Sequence, residues 1–319
     1  MGSALLSEDV DPSVGRFISV DGTRLHYVDM GTGTPVVLLH GNGSTVADFV
    51  SSGITERVAQ GHRVIIFDRP GFGLSDRPRD RTWGPSEQAS LLWHAFALLG
   101  IERPIVVGHS WGTLVALALA LGGTEKVAGL VLLSGYYYPV PRASSAFPMV
   151  NDVLWQSIMP FIGHAIAQDA VRRIFAPCVV PKRFKREYSI PHALRLSQLK
   201  AVAEEAAMLM EAAKTYSALY KELNVPVRLI AGSDDRIVDT AKHSARLHRE
   251  LSTSTFRSVQ GIGHMVHHAA PDEVVAAIMA MGERGTMTRS GTRHNRVRRH
   301  WLNIGDGSVE GEHHTTMHH

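Results

Sequence analysis

The sequence predicts an α/β fold: a mostly parallel central sheet with helices on both faces, plus an inserted helical cap. Three observations carry that reading. Short apolar runs alternate with helix-length segments along most of the chain. The runs are continuous rather than alternating with polar residues, the pattern of strands covered on both faces. From Tyr136 to Leu223 the alternation stops, and apolar residues recur at helical spacing instead.

In chain order, the runs at 17–20 and 24–28 flank Asp21-Gly22, which reads as a hairpin turn. The runs at 35–39, 64–67, 104–107, 127–133, 225–231 and 255–259 read as buried strands, each ending at a loop. Helices are expected over 87–99, 111–121, 240–251 and 271–281. The last opens on Pro271, whose missing N–H costs nothing in a first turn. Inside the interruption, Val150, Val153, Leu154, Ile158, Phe161 and Ile162 keep helical period, and 199–213 is rich in helix formers. An insertion that leaves after one strand and returns before the next is placed to roof the carboxyl edge of the sheet, where ligands of open α/β sheets bind. The expected division is an extension (1–15), a core in two pieces (16–135 and 224–282), a cap (136–223) and a basic tail (283–319).

Of 319 residues, 44% are hydrophobic and 20% charged, the balance of a globular chain rather than a disordered one. The single cysteine, Cys178, excludes an intramolecular disulfide and any cysteine-built zinc or iron–sulfur centre. No apolar run approaches the ~20 residues that span a bilayer. The N-terminal residues lack the basic and apolar regions of an export signal. A cytoplasmic setting without membrane contact is therefore the expectation. Nor does the net charge of +3 signal nucleic acid, because it sits mostly at one end. From residue 282 onward there are six arginines (Arg284, Arg289, Arg293, Arg296, Arg298, Arg299) against four acids (Glu283, Asp306, Glu310, Glu312). The body is nearly neutral, and this end, rich in Gly, Thr and His, is expected to be solvated. Its closing histidines, His313, His314, His318 and His319, lack the rigid frame a catalytic metal requires.

The chemistry concentrates in four short segments. Gly108-His109-Ser110-Trp111-Gly112 follows one predicted strand and precedes a predicted helix. So sharp a turn holds the serine oxygen out at the sheet edge, beside a helix N-terminus that favours developing negative charge. A serine hydroxyl is barely ionised at neutral pH and needs a base. Gly261-Ile262-Gly263-His264-Met265 offers His264 at the same edge, framed by glycines; His267 and His268 lie further toward the helix, without that frame. The base in turn needs a carboxylate to hold its tautomer and stabilise the imidazolium. Gly232-Ser233-Asp234-Asp235 offers two. Asp235 is favoured over Asp234, because the loop needs a few residues to turn back toward the histidine. A tetrahedral oxyanion needs two backbone N–H donors. Trp111 directly follows the serine, and Asn42 lies in His40-Gly41-Asn42-Gly43-Ser44, a glycine-rich loop after the strand at 35–39. That loop lacks the Gly-Lys-Ser/Thr ending of a nucleotide loop.

Together, His40-Gly41-Asn42-Gly43, Asp68-Arg69-Pro70-Gly71-Phe72-Gly73-Leu74-Ser75, Gly108-His109-Ser110-Trp111-Gly112, Gly232-Ser233-Asp234-Asp235 and Gly261-Ile262-Gly263-His264 resemble the ordered motifs of the α/β-hydrolase superfamily. The similarity is to its capped branch of esterases, C–C bond hydrolases, epoxide hydrolases and haloalkane dehalogenases, and it runs from about residue 17 to 281. The resemblance implies Ser110 as nucleophile, His264 as base, Asp235 as the acid, and the N–H groups of Asn42 and Trp111 as oxyanion donors. It gives the 68–75 loop a structural role. Two departures matter, the first for the activity and the second for the shape of the acyl-side pocket. Dehalogenases and epoxide hydrolases of the family carry aspartate where this chain has Ser110. Many relatives also place a proline after the variable residue, where this loop reads Gly43.

The expected reaction is hydrolysis of a small, apolar carboxylic ester through an acyl-enzyme, with a small-molecule ester as partner and no metal or organic cofactor. A C–C bond or amide hydrolase uses the same triad, and a non-catalytic ligand-binding protein can keep the same fold. Phe147, Trp155, Met159, Phe161, Met208, Met210 and Tyr216 are candidates to line an apolar pocket under the cap. Tyr136-Tyr137-Tyr138 is a candidate to bring a hydroxyl over the site. Packing is the competing role of each.

Overall fold

The structure, a computed structural model, describes residues 15–140 and 152–282. Its strands are β1 (Arg16–Val20), β2 (Thr23–Met30), β3 (Thr34–Leu39), β4 (His62–Phe67), β5 (Ile105–His109), β6 (Gly129–Leu133), β7 (Val227–Gly232) and β8 (Ser254–Val259). They form one eight-stranded sheet in the order β1-β2-β4-β3-β5-β6-β7-β8. β1 and β2 pair antiparallel around Asp21-Gly22, both at positive φ, which matches the right-handed twist of a tight hairpin. β2 also runs antiparallel to β4, and every pair from β4 to β8 is parallel.

Parallel neighbours need crossover connections, and helices supply them. They are α1 (Val46–Ser52), α2 (Ile54–Val58), α3 (Pro85–Leu98), α4 (Gly112–Leu121), then α5 (Asp152–Phe175), α6 (Lys182–Glu187), α7 (Ile190–Ala193) and α8 (Leu196–Ser217) between β6 and β7. α9 (Ser244–Glu250), α10 (Val266–Ala269) and α11, over 271–282, complete the chain. Strand residues face alternate sides of the sheet and feed two cores. Val37, Leu39, Phe67, Val106 and Leu132 pack with α3, α4 and α9 on one face. Val36, Leu38, Ile66, Val107 and Leu133 pack with α1, α2 and α11 on the other. The fold is thus the expected α/β sandwich with α5–α8 inserted as a helical cap.

Three details depart from the sequence reading. β8 is not buried on both faces: its residues are partly buried or exposed, because it is an edge strand. α1 and α2 were not anticipated, being too short for periodicity to resolve; the Thr45 hydroxyl, accepting from Ala47 N–H, and Gly53 at φ 80° punctuate them instead. α9 starts at Ser244 rather than at residue 240. The extension before Gly15, the basic tail and the side chains of Phe147, Trp155, Met159 and Phe161 lie outside the described residues. Among the described residues, no helix is long and apolar enough to cross a membrane.

Candidate active site

Ser110 sits between β5 and α4 with φ 51°, in the left-handed region that L-residues rarely adopt. Its N–H donates to Leu133 O at 2.9 Å, and Thr113 Oγ1 donates to its carbonyl at 2.6 Å. The flanking glycines are demanded by close approach. A Cβ on Gly112 would run into the Leu39 carbonyl oxygen, and one on Gly108 would lie 2.8 Å from Thr113 Cα. Crossing backbones that tight explain the Gly-x-Ser-x-Gly spacing. Ser110 itself is half-buried, whereas Gly108, His109, Trp111 and Gly112 are buried. Trp111 is the N-cap residue of α4, so its backbone N–H belongs to the unpaired, electropositive end of the helix.

His264 and Asp235 come from the loops after β8 and β7. His264 Nδ1 lies 2.8 Å from Asp235 Oδ2, and both side chains are buried. A carboxylate only accepts, so Nδ1 carries the proton and Nε2 keeps a lone pair, as a base requires. The other Asp235 oxygen accepts from the N–H groups of Ile237 and Val238 at 2.8 and 2.9 Å, which fixes the carboxylate plane. Asp234 points elsewhere: it is exposed and accepts from the Ser233 hydroxyl. The His264 loop reaches the serine turn through His109, whose Nε2–H donates to His264 O at 3.2 Å. Their rings lie 4.9 Å apart.

His267 and His268, the alternatives to His264, are held by another acid. Their Nε2 atoms sit 2.9 and 2.7 Å from the same Asp48 oxygen on α1. These three residues bring metal-type donor atoms within 4.8 Å of one another. Both imidazoles donate to the carboxylate, however, so the geometry is that of a buried hydrogen-bonded knot tying α10 to α1. Burial alone would raise the Asp48 carboxyl, but the two histidines outweigh it and hold it well below the usual carboxylate range. Burial lowers His267, and burial together with His267 and His264 pushes His109 well below the usual histidine range. Nothing in residue spacing announced Asp48; an acid beside Phe49 in a short helix looks like a surface residue.

The loop at 40–44 runs beside the serine: a Cβ on Gly41 would lie 3.1 Å from Ser110 Cβ. This brings the loop that carries Asn42 to the serine's side of the sheet edge. Of the cap candidates, Tyr216 is buried in the core, Met208 packs against it, and Met210 is partly exposed beside the Tyr136 hydroxyl. The tyrosine run is packing rather than pocket. All three are buried, Tyr136 OH donates to Val140 O, and Tyr138 OH donates to Glu250 Oε2 at 2.8 Å.

Comparison with known proteins agrees with the architecture. The model of the "Alpha/beta hydrolase family" matches residues 36–277. "Haloalkane dehalogenase 2" of Mycobacterium tuberculosis is 26% identical over 284 residues, covering 84% of this chain and 94% of that protein. "2-hydroxymuconate semialdehyde hydrolase" of Pseudomonas putida is 38% identical over 134 residues, 40% of this chain and 47% of that one. Among solved structures, a meta-cleavage product hydrolase from Pseudomonas fluorescens superposes with a TM-score of 0.64 at 20% identity, covering 85% of this chain and 98% of that one. A thermophilic esterase from Thermogutta terrifontis does so with a TM-score of 0.63 at 22% identity, with the same coverage. Because the family match begins in β3 and ends in α11, taking in every loop described above, the chain belongs to the alpha/beta hydrolase family.

Proposed function

We propose that the protein hydrolyses a small, apolar carboxylic ester through an acyl-enzyme. Ser110 Oγ attacks the carbonyl carbon while His264 Nε2 takes its proton. The carbonyl oxygen becomes an oxyanion held by the N–H groups of Asn42 and Trp111, each worth about 3 kcal/mol of barrier. As the intermediate collapses, the C–O bond breaks and His264 hands its proton to the departing alcohol. Water, deprotonated by His264, then releases the acid and restores Ser110. Asp235 keeps the imidazole in the right tautomer and offsets its charge when it is protonated.

The observation that carries this reading is a histidine whose Nδ1 is already committed to a buried carboxylate, on a loop that His109 ties to the strained turn of Ser110. A serine here forms an acyl intermediate, whereas displacement at an alkyl halide calls for an aspartate nucleophile. The second reading is hydrolysis of a C–C bond next to a carbonyl. The local 38% identity to a 2-hydroxymuconate semialdehyde hydrolase favours it, and the same serine and histidine serve it.

Fluorophosphonate labelling followed by peptide mass spectrometry should place the adduct on Ser110. A chain-length series of p-nitrophenyl esters, run beside a vinylogous diketone, separates the two bonds. Ester turnover with no diketone cleavage supports the first reading, and the reverse supports the second. No label and no turnover of either would remove both.

A further inference from the structure

Arg69, in the 68–75 loop, has no part in the reaction above, yet its side chain is fully buried and all five of its guanidinium N–H groups are used. Nε donates to His40 O at 2.8 Å. Nη1 donates to Gln88 Oε1 at 3.0 Å and to Glu205 Oε1. Nη2 donates to Gly41 O at 3.0 Å and to Glu205 Oε2 at 3.1 Å. His40 and Gly41 belong to the loop that carries Asn42, whereas Glu205 is a fully buried residue of α8, in the cap. Gln88, on α3, donates in turn to Glu205 Oε1 at 2.9 Å. One planar cation therefore bridges the cap and two backbone carbonyls of the core.

Those carbonyls matter because a peptide unit is rigid. The C=O of Gly41 and the N–H of Asn42 are opposite ends of one planar trans group, so holding the oxygen aims the hydrogen. Gly41 O is held by three donors: Arg69 Nη2, His40 Nδ1–H at 2.8 Å and, within its own loop, Ser44 N–H at 3.3 Å. Burial and the adjacent Arg69 lower His40 to about 3, so it stays neutral, donating at Nδ1 and accepting the Arg69 N–H at Nε2 over 3.0 Å. The cap also grips the next two residues of the loop. Asn42 Nδ2 donates to Val202 O of α8 at 3.1 Å, and Tyr188 OH donates to Gly43 O at 2.8 Å.

We infer that Glu205 is a positioning residue for the oxyanion hole: through Arg69, the docked cap holds the Gly41–Asn42 peptide plane in the orientation the tetrahedral intermediate needs. The inference rests on the ester-hydrolase reading and on Asn42 as a donor. A lysine at 69 could not serve, since one ammonium lacks the fork to reach the carboxylate and both carbonyls at once. The cap is then part of the catalytic frame rather than a lid that swings clear between turnovers.

The experiment compares E205Q with the apolar pair R69M/E205M in the full-length protein. E205Q turns one acceptor into a donor facing other donors and leaves the guanidinium without a counter-charge. Its kcat on the best p-nitrophenyl ester should fall roughly 10- to 100-fold, with KM changed by no more than about threefold. An alkyl boronic acid, which forms a tetrahedral adduct on serine, should bind weaker by a similar factor. The double variant removes the buried charges together, so its melting temperature should recover toward wild type while kcat stays low. Wild-type kcat in a folded E205Q, a loss confined to KM, or recovery of kcat along with stability in R69M/E205M would each reduce Glu205 to a packing role. A wild-type protein that neither turns over esters nor labels at Ser110 overturns the ester reading and this inference with it.

Discussion

Ser110 is held where a backbone of L-residues costs about 1–3 kcal/mol, and the surrounding close contacts over-determine that conformation. Ser110→Ala should therefore keep the wild-type melting temperature while turnover falls on the order of 10⁴- to 10⁶-fold. Ester hydrolysis at the wild-type rate in that variant would take the serine out of the mechanism. Asp235→Asn separates charge from geometry: the amide would donate to His264 Nδ1, forcing the proton onto Nε2 and silencing the base. A kcat loss of roughly 10⁴-fold is expected, with little change in the melt. Asp48 answers a different question, because it accepts from two buried imidazoles, those of His267 and His268. Asp48→Ala strands both donors and should cost about 1–3 kcal/mol for each, whereas Asp48→Asn keeps an acceptor and should cost much less. Urea midpoints of the two variants, measured side by side, decide it; equal losses would mean the charge rather than the hydrogen bonds is what matters.

At the scale of elements, short continuous apolar runs with loops at their ends were enough to place six of the strands, and the Asp21-Gly22 turn placed the two of the hairpin. The loops that carry Ser110, Asp235 and His264 followed from their positions after strands, since all parallel strands end at one edge. What periodicity missed, it missed for physical reasons. α1 and α2 are too short to complete a recognisable face; β8 was placed as a strand, but its expected burial on both faces fails because it is an edge strand whose outer side needs no apolar residues. Glu205 was legible in principle: it falls in the buried stripe Gln198, Ala201, Glu205, Leu209 and Ala213, where an acid requires a partner. The turn around Ser110 makes an element-level prediction. Gly112→Ala inserts a methyl against the Leu39 carbonyl and should cost about 1–3 kcal/mol or more, read as a lowered melting temperature together with lost activity. An unchanged melt would mean that β3 and α4 can part more easily than their packing suggests.

For the molecule as a whole, the buried histidines set how stability responds to acid. Burial lowers His40 from 6.5 to about 3, and His109 and His267 are lowered as well. Unfolded, these groups take up protons near pH 6.5; folded, they do not. Their contribution is therefore complete above that pH and lost as the pH falls below it, for His40 by about 1.4 kcal/mol per pH unit down to about pH 3. Asp48, held low by His267 and His268 against burial, adds to the loss below about pH 4. Melting temperature should fall steeply from pH 6.5 to 4, and His40→Gln should flatten part of that slope. A level melting curve across this range would mean that the histidines are already protonated in the folded protein.

Read alone, the chain determined its fold class and the order in which serine, acid and histidine appear, because strand alternation, glycine-bounded turns and segment lengths are local properties. Tertiary structure alone decided which groups share a buried charge. Arg69 and Glu205 lie 136 positions apart, and Asp48 and His267 lie 219 apart, and neither pair has a periodic signature. A charge can enter the interior only where a distant partner arrives to meet it, and only packing brings such partners together.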